Sequence, residues 1–99
     1  MLKTNSISLK STIVQSQGNI VSDMDGEKVM LSVKNGKYYN LGEIGGAIWE
    51  HLESPILISD LIIALMSEYD VNETECEEQV LSFLNLLAME NLILSNKDA

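Results

Sequence analysis

The chain has 99 residues, which predicts a single domain with one hydrophobic core. Hydrophobic residues make up 45% of it and charged residues 21%, as in ordinary globular proteins. Six basic residues stand against fifteen acidic ones, giving a formal net charge of −9. Because nucleic-acid binding needs Lys and Arg to replace the counterions of phosphates, this charge argues against a DNA- or RNA-binding role.

The N-terminal and cysteine patterns predict a cytoplasmic protein without a membrane segment. The first ten residues, MLKTNSISLK, lack the apolar core of a signal peptide and are expected to be loosely ordered. The most apolar stretch, residues 56–66, is too short to span a bilayer. Cys76 is the sole cysteine, so it has no partner for an internal disulfide, which fits a reducing compartment.

The first part of the chain predicts strands separated by turns. β-forming residues occupy positions 12–14 and 20–21, and the turn-forming sequence SQGN lies between them. The pair Asp25-Gly26 predicts a further turn before the alternating stretch EKVMLSV. These signals indicate short antiparallel strands.

The strongest hairpin signal is the pair Asn35-Gly36, which is followed by KYYNL as the return strand. Asn-Gly favours a two-residue type I′ turn because both residues accept a positive φ at low cost. A turn of that length places Val33 opposite Tyr38 and Ser32 opposite Tyr39.

Three helices are predicted in the remainder of the chain. The first begins near the glycines of GEIGG and ends before Ser54-Pro55, and the second covers about residues 57–69. Asn72 caps the third, with Glu75 completing an arrangement like a capping box, and the third helix ends near residues 90–91. The sequence LILS that follows is compatible with a short final strand. Strands followed by helices predict an α+β fold.

No arrangement of catalytic, metal-binding or cofactor-binding residues emerges from the sequence. Cys76 lies on the apolar stripe of the third helix and His51 lies near the end of the first, so a nucleophile–base pair is disfavoured. DMDGE has the wrong spacing for a calcium loop, and GEIGG lacks the Lys-Ser or Lys-Thr of a phosphate-binding loop. One cysteine and one histidine do not supply a closed set of zinc ligands. The sequence therefore predicts a protein that is not an enzyme.

A surface is the remaining candidate for function, at the edge of the KYYNL strand beside the third helix. An extended peptide can add to such an edge, where backbone hydrogen bonds give affinity and side-chain pockets give selectivity. Tyr38 and Tyr39 suit this role because tyrosine offers a large contact area at low entropic cost. Alternation explains the pair equally well, with one tyrosine in the core and the other exposed.

Several segments, in this order and spacing, resemble the PqqD-like family and its stand-alone members in lasso-peptide biosynthesis. They are GEKVML, the passage from YYNL through IG to IW, EYDV, and the C-x(3)-V-x(2)-FL pattern of the third helix, together covering about residues 13–94. The resemblance implies a winged helix-turn-helix-like fold, with a three-stranded antiparallel sheet followed by three helices. It also implies a RiPP recognition element, which binds the leader of a ribosomally synthesised precursor peptide as an antiparallel strand between KYYNL and the third helix.

The resemblance further implies which residues and partners take part. The implied peptide-binding residues lie on the strand and on the third helix: Tyr38, Tyr39, Asn40, Leu41, Cys76, Gln79, Val80, Phe83, Leu84 and Leu87. The helical stripe by itself does not separate the groove floor from the core. Besides the precursor peptide, the implied partners are a transglutaminase-like leader peptidase and an asparagine-synthetase-like cyclase. Alanine at Tyr38 or Phe83 is expected to abolish peptide binding and keep the fold, provided those side chains line the groove.

Two alternatives remain open on the sequence. The family also includes a peptide chaperone of pyrroloquinoline quinone synthesis and modules fused to radical enzymes; the chain carries no fused enzyme, which favours the lasso type. An acidic winged-helix subunit could instead bind a protein through the same surface. DNA recognition is disfavoured because the third helix begins with glutamates rather than basic side chains. A reading frame for a leader-plus-core peptide beside the gene would favour the first hypothesis.

Overall fold

The protein is represented by a computed structural model, which describes residues 7–97. Its elements, in chain order, are β1 (Ser11–Gln15), β2 (Asn19–Met24), β3 (Glu27–Ser32), β4 (Lys37–Leu41), α1 (Gly42–His51), β5 (Ile56–Leu57), α2 (Ile58–Glu68), α3 (Glu73–Met89) and β6 (Ile93–Lys97). Residues 1–6 of the segment expected to be loosely ordered lie outside the described residues. Ile7, from the same segment, is buried in the core.

The main sheet is antiparallel with the strand order β2-β3-β4, and the three helices follow it in the chain. The predicted α+β fold, a three-stranded antiparallel sheet followed by three helices, is confirmed. Asp25 and Gly26 form the two-residue turn between β2 and β3, with φ of 58° and 85°. Both residues adopt the positive φ of a type I′ turn, which matches the right-handed twist of the strands.

The predicted register of the β3–β4 hairpin is wrong. Ser32 pairs with Lys37 and Met30 pairs with Tyr39, so the loop has four residues instead of two. Gly36 has a positive φ of 66°, whereas Asn35 does not. The buried Ser32 holds the loop by accepting hydrogen bonds, from the Asn35 N–H at its Oγ and from the Gly36 N–H at its carbonyl oxygen. This longer loop shifts the return strand by two residues.

A second, smaller antiparallel sheet has the order β5-β1-β6. β1 pairs with β6 along its whole length, from Ser11 opposite Lys97 to Gln15 opposite Ile93. The final strand that LILS suggested is therefore present as β6. Ile13, at the centre of β1, is fully buried, so this sheet also packs on the core.

The core lies between the two sheets and the three helices. Each helix contributes an apolar face, and the buried helical residues are Ile48, Trp49, Leu52, Ile58, Leu61, Ile62, Leu65, Cys76, Val80, Leu84 and Leu87. The predicted cap of α3 is confirmed, because Asn72 Oδ1 accepts a hydrogen bond of 2.8 Å from the Glu75 N–H. α1 packs closely on β3, since a Cβ at Gly46 would lie 2.9 Å from Lys28 Cγ.

Candidate functional site

β4 has a free edge. Within residues 7–97 it pairs with β3 on one side and with no strand on the other. In an antiparallel strand, every second residue then points its N–H and C=O to the unpaired side. Two contacts place α3 alongside β4: Phe83 lies against Gly45, four residues after Leu41, and Glu90 binds Tyr39. The end of α3 is therefore joined directly to β4, and Phe83 lies close to the point where β4 ends.

The accessible side of α3 forms an open depression, which we call the α3 groove. Its lining residues are Glu78, Gln79, Ser82, Phe83 and Leu86. Leu86 is 60% exposed although it is apolar, and Phe83 is half-buried. An exposed leucine next to a partly exposed phenylalanine gives the groove an apolar surface that is open to solvent, which is typical of an interaction site.

The structure divides the predicted helical residues into two sets. Gln79 and Phe83 line the α3 groove. The other four point into the core and are at most 5% exposed: Cys76, Val80, Leu84 and Leu87. Sequence reasoning missed the groove residues Glu78, Ser82 and Leu86. The signal that could have found Leu86 is its spacing, since residues 79, 83 and 86 follow helical periodicity one step off the core stripe.

The position of the Phe83 ring requires a glycine in α1. A Cβ at Gly45 would lie 3.1 Å from Phe83 Cζ, which is tighter than ordinary packing. The ring therefore rests directly on the backbone of α1, close to the point where β4 ends at Leu41. Gly45 is a further residue of the site that the sequence indicated only as part of a turn into the helix.

The strand residues alternate between the two faces of the sheet. Tyr38 is 75% exposed on the outer face, in one row with Leu31 and Ile20. Tyr39 packs against the core on the inner face, and Leu41 is buried. Asn40 is exposed. The structure thus agrees with the simple alternation of one packed and one exposed tyrosine, and only the strand backbone meets the free edge.

The inner tyrosine belongs to a polar cluster at one end of the groove. The Tyr39 hydroxyl donates to Glu90 Oε1 at 2.8 Å, and Lys37 Nζ lies 3.5 Å from the same oxygen. Asn35 Nδ2 donates to the Tyr39 hydroxyl and to the Glu90 carbonyl oxygen. The hydrogen bond from Tyr39, followed by the charge of Lys37, lowers the pKa of Glu90. The stability from this pairing is present above the ordinary glutamate pKa and is lost as pH falls through the lower one.

Cys76 and His51 do not form a catalytic pair. Cys76 lies beside a small apolar cavity of about 20 Å³ among the three helices, and burial raises the pKa of its thiol. A protonated thiol is a poor nucleophile. His51 Nε2 instead lies 3.0 Å from Glu68 Oε2. Gln79 lines both this cavity and the α3 groove.

The described part of the chain offers neither a metal site nor a membrane-spanning helix. Among residues 7–97, no three His, Cys, Asp or Glu side chains are placed to hold a metal ion. Over the same range, no helix combines the length and the apolar character needed to cross a bilayer.

These features define a small domain in which a free strand edge lies beside an apolar, accessible helix face. The chain belongs to the PqqD family. The family model, described as Coenzyme PQQ synthesis protein D, matches residues 27–93, from the first residue of β3 to the first of β6. Among curated proteins, none is significantly similar to the chain in sequence.

Two solved structures share the fold. One is TbiB1 in complex with the TbiA(beta) leader peptide, at 28% identity and a TM-score of 0.75, covering 86% of this chain and 99% of that one. The other is lasso peptide synthetase B1 complexed with the leader peptide, at 23% identity and a TM-score of 0.71, covering 83% and 96%. In both cases the similarity extends over nearly the whole chain of the solved protein.

Proposed function

We propose that this chain is a non-catalytic RiPP recognition element. It binds the leader region of a ribosomally synthesised precursor peptide by adding it as an antiparallel strand to β4. The observation that carries the proposal is the free edge of β4, which the Tyr39–Glu90 hydrogen bond joins to the helix that forms the α3 groove. Its family membership and its likeness to two proteins solved with leader peptides support the same conclusion.

The site divides the work of binding between backbone and side chains. The unpaired N–H and C=O groups of β4 supply hydrogen bonds that any extended peptide can use. Phe83 and Leu86 offer apolar contact for alternate peptide side chains, and Gln79 adds a polar group. Tyr38, on the outer face, would lie beside a peptide residue in the extended sheet, where cross-strand neighbours interact. The four buried α3 residues support the floor from below.

β4 is favoured over the other strand edges because of what lies beside it. β2 is the opposite edge of the main sheet, and β5 and β6 are the edges of the second sheet. β5 has only two residues, too few for a strand-adding peptide to follow. β4 is linked to the end of α3 by the Tyr39–Glu90 hydrogen bond, and it ends close to Gly45, on which Phe83 of the α3 groove rests. Backbone pairing and apolar burial can therefore occur together at β4.

Within a lasso-peptide pathway, this role is delivery. The chain holds the leader, and a transglutaminase-like leader peptidase and an asparagine-synthetase-like cyclase carry out the reactions. Cys76 is buried in the core and takes no part in this role.

The family description favours one alternative, a peptide chaperone in pyrroloquinoline quinone synthesis. That chaperone would use the same groove and the same β4 edge, but its ligand would be a different precursor peptide. The two functions are therefore separated by which peptide binds.

The proposal is tested by fluorescence anisotropy of a labelled synthetic leader, taken from a leader-plus-core reading frame identified beside this gene. Saturable binding at roughly micromolar Kd or below, about −8 kcal/mol, is expected. A pyrroloquinoline quinone precursor peptide serves as the competing ligand. Tighter binding of that peptide would replace the lasso assignment with the alternative, and failure of both would contradict leader binding.

Leu86→Ser is expected to weaken leader binding roughly tenfold, because a leucine side chain buried on binding contributes about 1.5–3 kcal/mol and only part of this one is free to be buried. The matched control is Ile63→Ser on α2, whose side chain is 65% exposed and lies outside the α3 groove. Both variants should keep the urea midpoint of the wild type. Equal leader affinity for the two variants would exclude Leu86 from the binding surface.

Neutralising the glutamates at the start of α3 tests whether their charge speeds association with the leader. For a leader that carries Lys or Arg, Glu75→Gln, Glu77→Gln and Glu78→Gln together should slow association and flatten its salt dependence. The control removes three equal charges elsewhere, by Asp25→Asn, Glu27→Gln and Glu53→Gln. Stopped-flow association rates at low and high salt give the comparison. Unchanged rates in the first triple variant would contradict electrostatic steering by α3.

A further inference from the structure

The polar cluster at the end of α3 joins two segments that are far apart in the chain. Asn35, in the β3–β4 loop, lies 55 residues before Glu90, whose carbonyl oxygen accepts its side-chain hydrogen bond of 2.9 Å. The carboxylate of Glu90 accepts from the Tyr39 hydroxyl and lies near Lys37. Three groups of the hairpin thus converge on the residue that caps α3.

The cap holds Glu90 in a defined position. Asn91 adopts a φ of 62°, the Asn91 N–H donates to the Ala88 carbonyl, and the Leu92 N–H donates to the Leu87 carbonyl. These two bonds are the Schellman arrangement that ends many helices, here with asparagine at the left-handed position. Leu92 is buried behind it. Because the helix end is fixed, the Glu90 side chain gives the hairpin a stable anchor.

The α3 helix is consequently attached to the β4 region at two points. Phe83 on the α1 backbone is the first and the Glu90 cluster is the second. The exposed Leu86 lies between them, on the stretch of helix that borders the groove. The position of α3 is therefore set at two points before any peptide arrives, relative to α1 through Phe83 and relative to β4 through Glu90.

We propose that Tyr39 and Glu90 form a latch that fixes the width of the groove and so preorganises it for a strand-adding peptide. The inference rests on the proposed function. Tyr39 is then a positioning residue whose side chain does not touch the peptide, although its backbone lies in the receiving strand. A fixed groove raises affinity because the peptide does not have to order the helix end when it binds.

The latch is tested with Tyr39→Phe, which removes the hydroxyl and keeps the ring. Leader affinity, measured by anisotropy with the synthetic leader, should fall by about 3- to 10-fold, the range of one lost hydrogen bond. The leader affinity of Glu90→Ala should fall by a similar factor. Glu90→Gln should bind more tightly than Glu90→Ala, because its amide oxygen still accepts from Tyr39.

Coupling between the two residues distinguishes a latch from two separate contributions. The double variant Tyr39→Phe/Glu90→Ala should bind about as tightly as Glu90→Ala alone, because that single change already removes the Tyr39–Glu90 bond. If the affinity losses of the two single variants multiply in the double variant, or if Tyr39→Phe binds the leader as tightly as the wild type, the latch is overturned while leader binding remains intact.

A measurement on the protein without peptide distinguishes failure of the latch from failure of the proposed function. In Tyr39→Phe, amide hydrogen exchange should quicken in the last turn of α3, residues 87–90, and stay unchanged at the buried Leu61 of α2. Unchanged exchange in the last turn would overturn the latch, whether or not the wild-type protein binds the leader.

Discussion

Phe83→Ala is expected to raise the Kd for the leader peptide by up to about tenfold. Full burial of an exposed phenylalanine side chain contributes about 1.5–3 kcal/mol, but this ring is already mostly covered, so only part of that is gained on binding, and each 1.4 kcal/mol is a factor of ten in affinity. The ring is half-buried on the Gly45 backbone and lines the groove, so a bound peptide would complete its burial. The Kd is measured by anisotropy, at protein concentrations corrected for the folded fraction from urea unfolding.

Phe83→Leu is the matched control for that variant, since it keeps an apolar side chain at the same place. Its Kd should fall between those of the wild type and Phe83→Ala. If Phe83→Ala folds and binds the leader as tightly as the wild type, the side of α3 that Phe83 occupies is not the peptide site.

Leu84→Ala is expected to destabilise the fold by about 2–5 kcal/mol, because Leu84 is fully buried and alanine leaves a cavity. For a domain of this size, about 4–8 °C of melting temperature is lost per kcal/mol, so thermal unfolding detects the change easily. Leader affinity per folded molecule should stay near that of the wild type. The neighbouring residues Phe83 and Leu84 are thus expected to affect different properties. Phe83 affects leader binding, and Leu84 affects stability.

The control for Leu84 is Asn85→Ala, an exposed position on the same helix, where stability should change by less than about 0.5 kcal/mol. A stable Leu84→Ala variant with greatly weakened leader binding would contradict the division of α3 into a core face and a groove face.

Local signals predicted the elements well. The Asn72 side chain capped α3 as predicted, by accepting from the Glu75 N–H three residues on, whereas the Glu75 side chain does not complete a capping box. Asp25-Gly26 formed the expected turn, another signal that acts within a few residues. The order of strands and helices then followed from periodicity, and the three-stranded sheet with three helices is the fold that the resemblance implied.

The β3–β4 register shows where local reasoning stops. Asn35-Gly36 is the stronger hairpin dipeptide, yet it did not form the tight turn. The Asn35 side chain is bound instead by Glu90, 55 residues away, and the buried Ser32 holds the wider loop. The short-range turn propensity is outweighed by hydrogen bonds of about 1 kcal/mol each, one of them to Glu90 in a distant part of the chain.

The binding surface was predicted only in outline, for a related reason. Periodicity identifies an apolar stripe, but the rotation of α3 relative to β4 decides which of its neighbours reach the groove. That rotation is fixed by contacts such as Phe83 with Gly45, which pair residues from different helices. Leu86 therefore emerged from the structure, whereas Cys76, Val80, Leu84 and Leu87 proved to be buried.

Amide hydrogen exchange of the protein, with and without saturating leader peptide, tests strand addition at β4 most directly. With leader bound, alternate amides within Lys37–Leu41 should become protected, since only every second N–H of the strand faces the new partner. The amides of β2, at the other edge of the same sheet, serve as the internal control and should be unchanged. Saturable binding that protects β2 or β6 and leaves β4 unaltered would contradict the proposed site.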